Sequence, residues 1–374
     1  MQRRRDEIKA APRGDGVLAP LRYPVFRRIW LASLVSNFGL MIQGVGAAWA
    51  MTELTTDPEP VALVQTMLMA PMMLLSIPAG AAADVYDRRL VALAALFTSL
   101  FGAVSLAILS LTGHLSPWSL LALCFFVGAG LAVFTPAWQA SVPEQVPVES
   151  APSAIAMNSI SFNVARSFGP AVGGMLVAAA GAAAAFVANA LCYLPMILVL
   201  FFWRRKPEPS RFPPESMGRA VLSGLRYVFH SPAILAVLGR TVLAGVSGGV
   251  IPALMPLISR DLLQGGATAF GFLLGAYGIG AVLGALALAR LRGRLSGEVL
   301  VRVSLLLFSA ATAVVALSPW FPLTAAGLVV GGASWMLAAA VFNVSVQLSA
   351  PRWVAARSLA AGRHRRPIFC EHVP

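Results

Sequence analysis

Apolar residues run along this chain in stretches of twenty or more, separated by short polar segments that hold most of its charge. An α-helix of about 20 apolar residues crosses the roughly 30 Å hydrocarbon core of a bilayer, so each stretch predicts one membrane span. Ten are expected, near residues 26–50, 61–82, 90–112, 117–139, 153–180, 183–203, 233–258, 269–290, 298–317 and 321–347. The predicted fold class is an all-α integral membrane protein. Its expected organisation is a polar segment over 1–25, a six-helix bundle over 26–203, a connection over 204–230, four helices over 231–350 and a basic tail over 351–374.

Composition agrees with that pattern. The 374 residues are 58% hydrophobic and 11% charged, against about half and a quarter in soluble domains. The net charge of +13 would suit nucleic acid, but the basic residues lie between apolar spans and form no basic domain. Instead they report orientation. Residues 1–28, 88–89, 204–226, 290–302 and 352–366 contain 25 of the 28 Lys and Arg. Such a bias predicts that these segments, and both termini, face the cytoplasm. Cys124, Cys192 and Cys370 are expected to be free thiols, because three cysteines make no disulfide framework.

One span breaks the apolar rule. Asn158-Ser-Ile-Ser-Phe-Asn163-Val-Ala-Arg166-Ser-Phe-Gly169-Pro170-Ala-Val-Gly173-Gly174 puts two amides, a fixed charge and a Pro-Gly cluster where bilayer core is expected. Arg166 lies about 21 Å into its helix at 1.5 Å per residue, too deep to snorkel to either interface. It therefore lines a wet cavity or pairs with a neighbouring helix. Gly169, Gly173 and Gly174 smooth one face for close helix approach, and Pro170 frees a backbone carbonyl one turn back. A polar face beside a smooth one suits a helix that moves during transport.

The chain also repeats itself. Phe134-Thr-Pro-Ala-Trp-Gln139-Ala-Ser141-Val-Pro143 ends span four, and Phe342-Asn-Val-Ser-Val-Gln347-Leu-Ser349-Ala-Pro351 ends span ten, with Phe, Gln, Ser and Pro at matching spacing. A parallel repeat of six-helix units is characteristic of one large transporter architecture. Three further pieces carry a family resemblance: Gly80-Ala-Ala-Ala-Asp84-Val-Tyr-Asp87-Arg88-Arg89, Gly169-Pro170-x-x-Gly173-Gly174, and Trp49-Ala-Met-Thr-Glu53-Leu-Thr-Thr. With these, residues 22–359 resemble the major facilitator superfamily, and more narrowly its enterobactin-exporter-like siderophore and drug efflux members. Asp87 stands where that family usually has glycine before the basic pair.

The resemblance implies twelve spans. Here Gly362-Arg-His-Arg-Arg-Pro-Ile-Phe-Cys-Glu-His-Val-Pro374 stands where span eleven is expected. C-terminal truncation is the leading expectation, and a genuine ten-span variant is the alternative. The implied function is ion-gradient-driven export, by alternating access, of a small amphipathic compound such as a siderophore or drug. The other reading is a non-transporting membrane protein that is degraded or serves as an association partner.

Candidate residues follow, each with a plainer reading beside it. Asn37, Gln43, Gln139, Asn163, Asn343 and Gln347 are polar groups in or at the ends of spans one, four, five and ten, which line the cavity in this architecture. With Phe134, Trp138, Phe342 and Arg166 they are candidate substrate contacts; helix–helix hydrogen bonding is the plainer reading. Asp84, Arg88 and Arg89 are implied to form a cytoplasmic charge latch, or else sit in a solvated loop. Gly169, Pro170, Gly173 and Gly174 are implied to take part in gating. Glu53 is the candidate proton site, or simply marks the interface. Arg240 is expected to snorkel. No catalytic constellation, metal cluster or cofactor motif is read. Gly278-x-Gly280-x-x-x-Gly284 lacks the strand and acidic residue of a nucleotide loop and predicts helix packing instead. The expected partners are lipid, a small-molecule substrate and a proton as coupling ion, with no nucleic acid and the protein a monomer.

Overall fold

The helices begin where proline, serine or aspartate can serve a helix N-terminus. The computed structural model describes residues 18–203, 248–292 and 295–349. Pro24, Pro58 and Pro117 open α1 (Pro24–Leu54), α2 (Pro58–Val85) and α4 (Pro117–Ser141). A proline there gives up an amide that the first turn leaves unpaired anyway. Asp87 caps α3 (Arg88–Leu111) by accepting from the Arg89 and Leu90 amides. The aspartate in the usual glycine position is thus a capping residue. Ser116 and Ser119 form a reciprocal capping box on α4, and Ser296 caps α9 (Gly297–Leu317).

The next helix, Ala151–Phe202, is 52 residues long. At 1.5 Å per residue it would reach about 78 Å, more than twice the hydrocarbon thickness. It is two spans, broken at Gly181, whose φ of 75° and ψ of 173° are the only non-helical dihedrals in the run. Only glycine adopts that conformation readily. The spans are α5 (151–180) and α6 (182–202), and helical geometry continues through Pro170 and Pro195. α7 covers residues 248–257 and is closed by a π turn over Ile258–Leu262. Then come α8 (Ala267–Arg292), α9 and α10 (Phe321–Ser349).

Among the described residues eight helices are long and apolar enough to cross a membrane, and Ala151–Phe202 supplies two spans. With α7, helix falls in each of the ten expected spans among the described residues, where no strand occurs; residues 233–247 of span seven lie outside them. Large apolar side chains face outward, as a protein solvated by lipid requires: Met73, Phe202, Leu306 and Leu317 are all more than 70% exposed. The segments 1–17, 204–247 and 350–374, with Arg240, Cys370 and the expected span-eleven region, lie outside the described residues. Cys124 and Cys192 carry no disulfide.

The repeat reappears in the packing. α4 packs against α2 and α3 in the first half, and α10 packs against α8 and α9 in the second. The halves meet chiefly where α5 crosses α8. A mixed core seals this joint, drawing Ile42 and Val45 from α1, Val177 from α5, Met255 from α7, and Phe270, Leu273 and Tyr277 from α8.

Candidate functional site

The crossing of α5 and α8 is backbone against backbone. A Cβ at Gly174 would stand 2.7 Å from the Gly271 Cα, and one at Gly271 would stand 2.6 Å from the Pro170 carbonyl oxygen. Further along, a Cβ at Gly278 would stand 2.8 Å from the carbonyl oxygen of Arg166. That carbonyl is the one Pro170 leaves without its intrahelical amide partner, so the bare Gly278 backbone approaches α5 where α5 is chemically unfinished. On the other side, Gly169 and Gly173 pack against Met41, Ile42 and Val45 of α1. Two other glycines of α8, Gly280 and Gly284, press against α10 at Val329 and Ala333. The glycine motif of α8 is a packing device.

Beside this crossing lies a cavity of about 450 Å³ between the two halves. α1 lines it with Leu40, Met41, Gly44 and Ala48, α2 with Gln65, Leu68 and Met69, and α4 with Gly128 and Leu131. The second half adds Pro252 on α7, Phe270, Leu274 and Tyr277 on α8, and Trp335 on α10. α5 contributes Phe162, Arg166 and Pro170. Arg166 stands midway between the start of α5 and Gly181, about 22 Å from either by helical rise. It has neither an ion pair nor a side-chain hydrogen bond within the described structure. An arginine at bilayer depth costs about 3 kcal/mol or more, so this one is held in place at some expense.

The other sequence candidates fall elsewhere in this conformation. Gln43 is fully buried between α1 and α6, where its Oε1 accepts from Asn189 Nδ2. Trp138 is 8% exposed in the core of the first half and stacks with Phe134 at 5.9 Å. Asn37 donates to Ser161 Oγ at 3.2 Å, joining α1 to α5. Asn163 is exposed and donates to the Ser159 carbonyl of its own helix at 2.8 Å. Gln139 is exposed. None of these lines the cavity. The side chains of Phe342, Asn343, Gln347 and Asp84 lie outside the described residues.

Arg88 and Arg89 work inside the first half. Arg88 Nη1 donates to the Ala140 carbonyl at 2.8 Å and to Glu144 Oε1 at 2.9 Å. Arg89 Nε donates to the Leu200 carbonyl at 2.8 Å, and its Nη2 to that of Phe201. Both acceptors are in the last turn of α6, where a cation suits the free carbonyls and the helix dipole. At the opposite end, Glu53 is exposed and accepts from Trp49 Nε1 at 2.9 Å. Nearby, Arg260 Nη1 donates to the Thr52 carbonyl at 2.8 Å, bridging the end of α1 to the π turn after α7. Asp261 grips the same guanidinium at 2.6 and 3.1 Å. Its hydrogen bond holds the Asp261 carboxyl below the ordinary value of 3.8 and raises Arg260 above its own.

Gln65, Tyr277 and Trp335 line the cavity without having been singled out from the sequence. The available signal was weak: an amide in span two, and two aromatics with polar handles in spans eight and ten.

A model of the transmembrane secretion effector family matches residues 15–363. The chain belongs to that family, within the major facilitator superfamily. It is 27% identical over 272 residues to the enterobactin exporter EntS of Shigella boydii, covering 72% of this chain and 64% of that protein. It is 25% identical over 265 residues to the staphyloferrin A transporter of Staphylococcus aureus, covering 69% and 65%. The chain thus spans a little under two thirds of the length of these relatives. Among solved structures, the family fold recurs in a bacterial homologue of the human lysosomal transporter Spinster, at TM-score 0.67 and 16% identity over 91% of this chain and 78% of that one. A bacterial homologue of the iron transporter ferroportin aligns at TM-score 0.61 and 13% identity over 90% and 87%.

Proposed function

We propose that the protein is a secondary active transporter that exports a small amphipathic compound, siderophore-like or drug-like, by alternating access. The observation that carries this reading is the cavity between the halves, apolar on most walls and charged at Arg166, beside a glycine crossing on which α5 and α8 can shift. A smooth crossing lets one half rock against the other without unpacking side chains. Membership of a transporter family supports the same reading, as do relatives named for enterobactin and staphyloferrin A. We assign the drive to an ion gradient, with the proton as coupling ion, and the location to a bacterial inner membrane. Both termini are then cytoplasmic, by the distribution of Lys and Arg. The latch formed by Asp84 with Arg88 and Arg89, and the gating role of Gly169–Gly174, belong to this proposal too.

The test is efflux from cells lacking their own siderophore and drug exporters, with the chain confirmed in the membrane by immunoblot. The expected result is external siderophore above the vector control, or internal dye below it, abolished by collapsing the proton gradient. Membrane-inserted protein that changes neither would support the non-transporting alternative.

A further inference from the structure

Among the described residues the cavity has a charge and no counter-charge. No Asp or Glu lines it among the described residues, and Arg166 reaches none. On the neighbouring α8, Tyr277 is 4% exposed and its hydroxyl has no hydrogen-bond partner. Its surroundings include the Arg166 charge. A buried hydroxyl and a partly buried guanidinium, neither with a partner among the described residues, are two unmet demands of the same kind in one cavity, since both donate. A cation would be repelled, and a neutral ligand would leave the arginine uncompensated. An oxyanion satisfies both donors at once, and a guanidinium can grip a planar carboxylate with two parallel bonds. Apart from the Gln65 amide the remaining walls are mostly apolar, with Phe162, Leu274 and Trp335 prominent.

We propose that this cavity is selective for amphipathic oxyanions, holding a carboxylate between Arg166 and the Tyr277 hydroxyl while the ligand's apolar body lies against Phe162, Leu274 and Trp335. The proposal deepens the transport reading and rests on it for its physiological meaning, but binding can be measured without transport.

The experiment uses the full chain in phosphatidylcholine nanodiscs, with radiolabelled 1-naphthoate and its uncharged counterpart 1-naphthamide as probes. Wild type is expected to bind the naphthoate about ten-fold or more tightly than the amide, the equivalent of one charge-assisted hydrogen bond. Arg166→Met is expected to remove that preference while binding the amide as wild type does, which also reports that the variant is folded. Tyr277→Phe is expected to weaken the naphthoate alone, and it decides the matter if Arg166→Met binds neither probe. Equal affinities in wild type, or a preference that survives in both variants, would overturn the proposal. Repeating the titration in phosphatidylglycerol nanodiscs separates the sources of the anion. A loss of naphthoate binding there would give the site to a lipid headgroup and overturn the soluble-ligand assignment. Selective binding without efflux defeats the transport reading and leaves the site standing; efflux without selectivity does the reverse.

Discussion

Arg88 and Arg89 at one end of the first half, and Arg166 in the middle of α5, are the same side chain under opposite conditions. The first two donate to the ends of α4 and α6 and to Glu144, tying three helices together near the interface. Among the described residues Arg166 donates to nothing, at a depth where an unpaired charge is most expensive. Arginines that stabilise a fold are satisfied by it, whereas one kept unsatisfied is kept for something that arrives later. Stability and function should therefore respond in opposite directions at the two places.

The largest expected effect comes from disturbing what positions Arg166. Gly278→Leu would drive a side chain into the Arg166 carbonyl and force α5 from α8. Overpacking of this kind costs about 1–3 kcal/mol, and here it should appear as a lowered melting temperature with a loss of monodisperse protein in size-exclusion chromatography. A variant that melts like wild type would show that the helices are not in close contact. Next is Arg89→Ala, which strips donors from the last turn of α6. A loss of about 1–2 kcal/mol is expected, measured as thermal unfolding in nanodiscs. Arg166→Met should move the other way, gaining up to about 1 kcal/mol by removing an unpaired charge, while efflux disappears. If it instead destabilises as much as Arg89→Ala, Arg166 is a structural residue and the contrast collapses.

The smallest effect is at the Arg260–Asp261 pair, where Asp261 is exposed and well screened. Asp261 has a folded pKa below its ordinary 3.8. Its stabilising contribution is therefore whole above that value and fades as pH falls through the lower folded value. The melting difference between wild type and Asp261→Asn should be slight near neutrality and vanish in acid. A difference that grows on acidification would reverse the sign of the argument.

The sequence told depth well and direction badly. Span number, span limits and the deep position of Arg166 follow from the lengths of apolar runs and the count of residues from each end. The α5–α6 boundary was legible too, because Gly181 separates two runs each long enough to cross a bilayer. Helix rotation was not legible. Along α1, α8 and α10 apolar residues occur all round the helix, as they do wherever one face meets lipid and the other meets protein. Nothing in that pattern tells that Gln65 faces the cavity while Gln43 faces Asn189, or that Trp335 lines it while Trp138 fills a core. Arg166 was easier because its charge admits few places to point.

The single-residue joint at Gly181 has a consequence for how the protein is made. α5 carries Asn158, Asn163 and Arg166 and is poorly suited to leave the translocon for lipid alone. α6, which follows after one residue, is nearly all apolar. So short a connection gives α5 no slack in which to finish inserting and wait. The two must therefore partition as one hairpin, with the greasy helix carrying the polar one into the membrane.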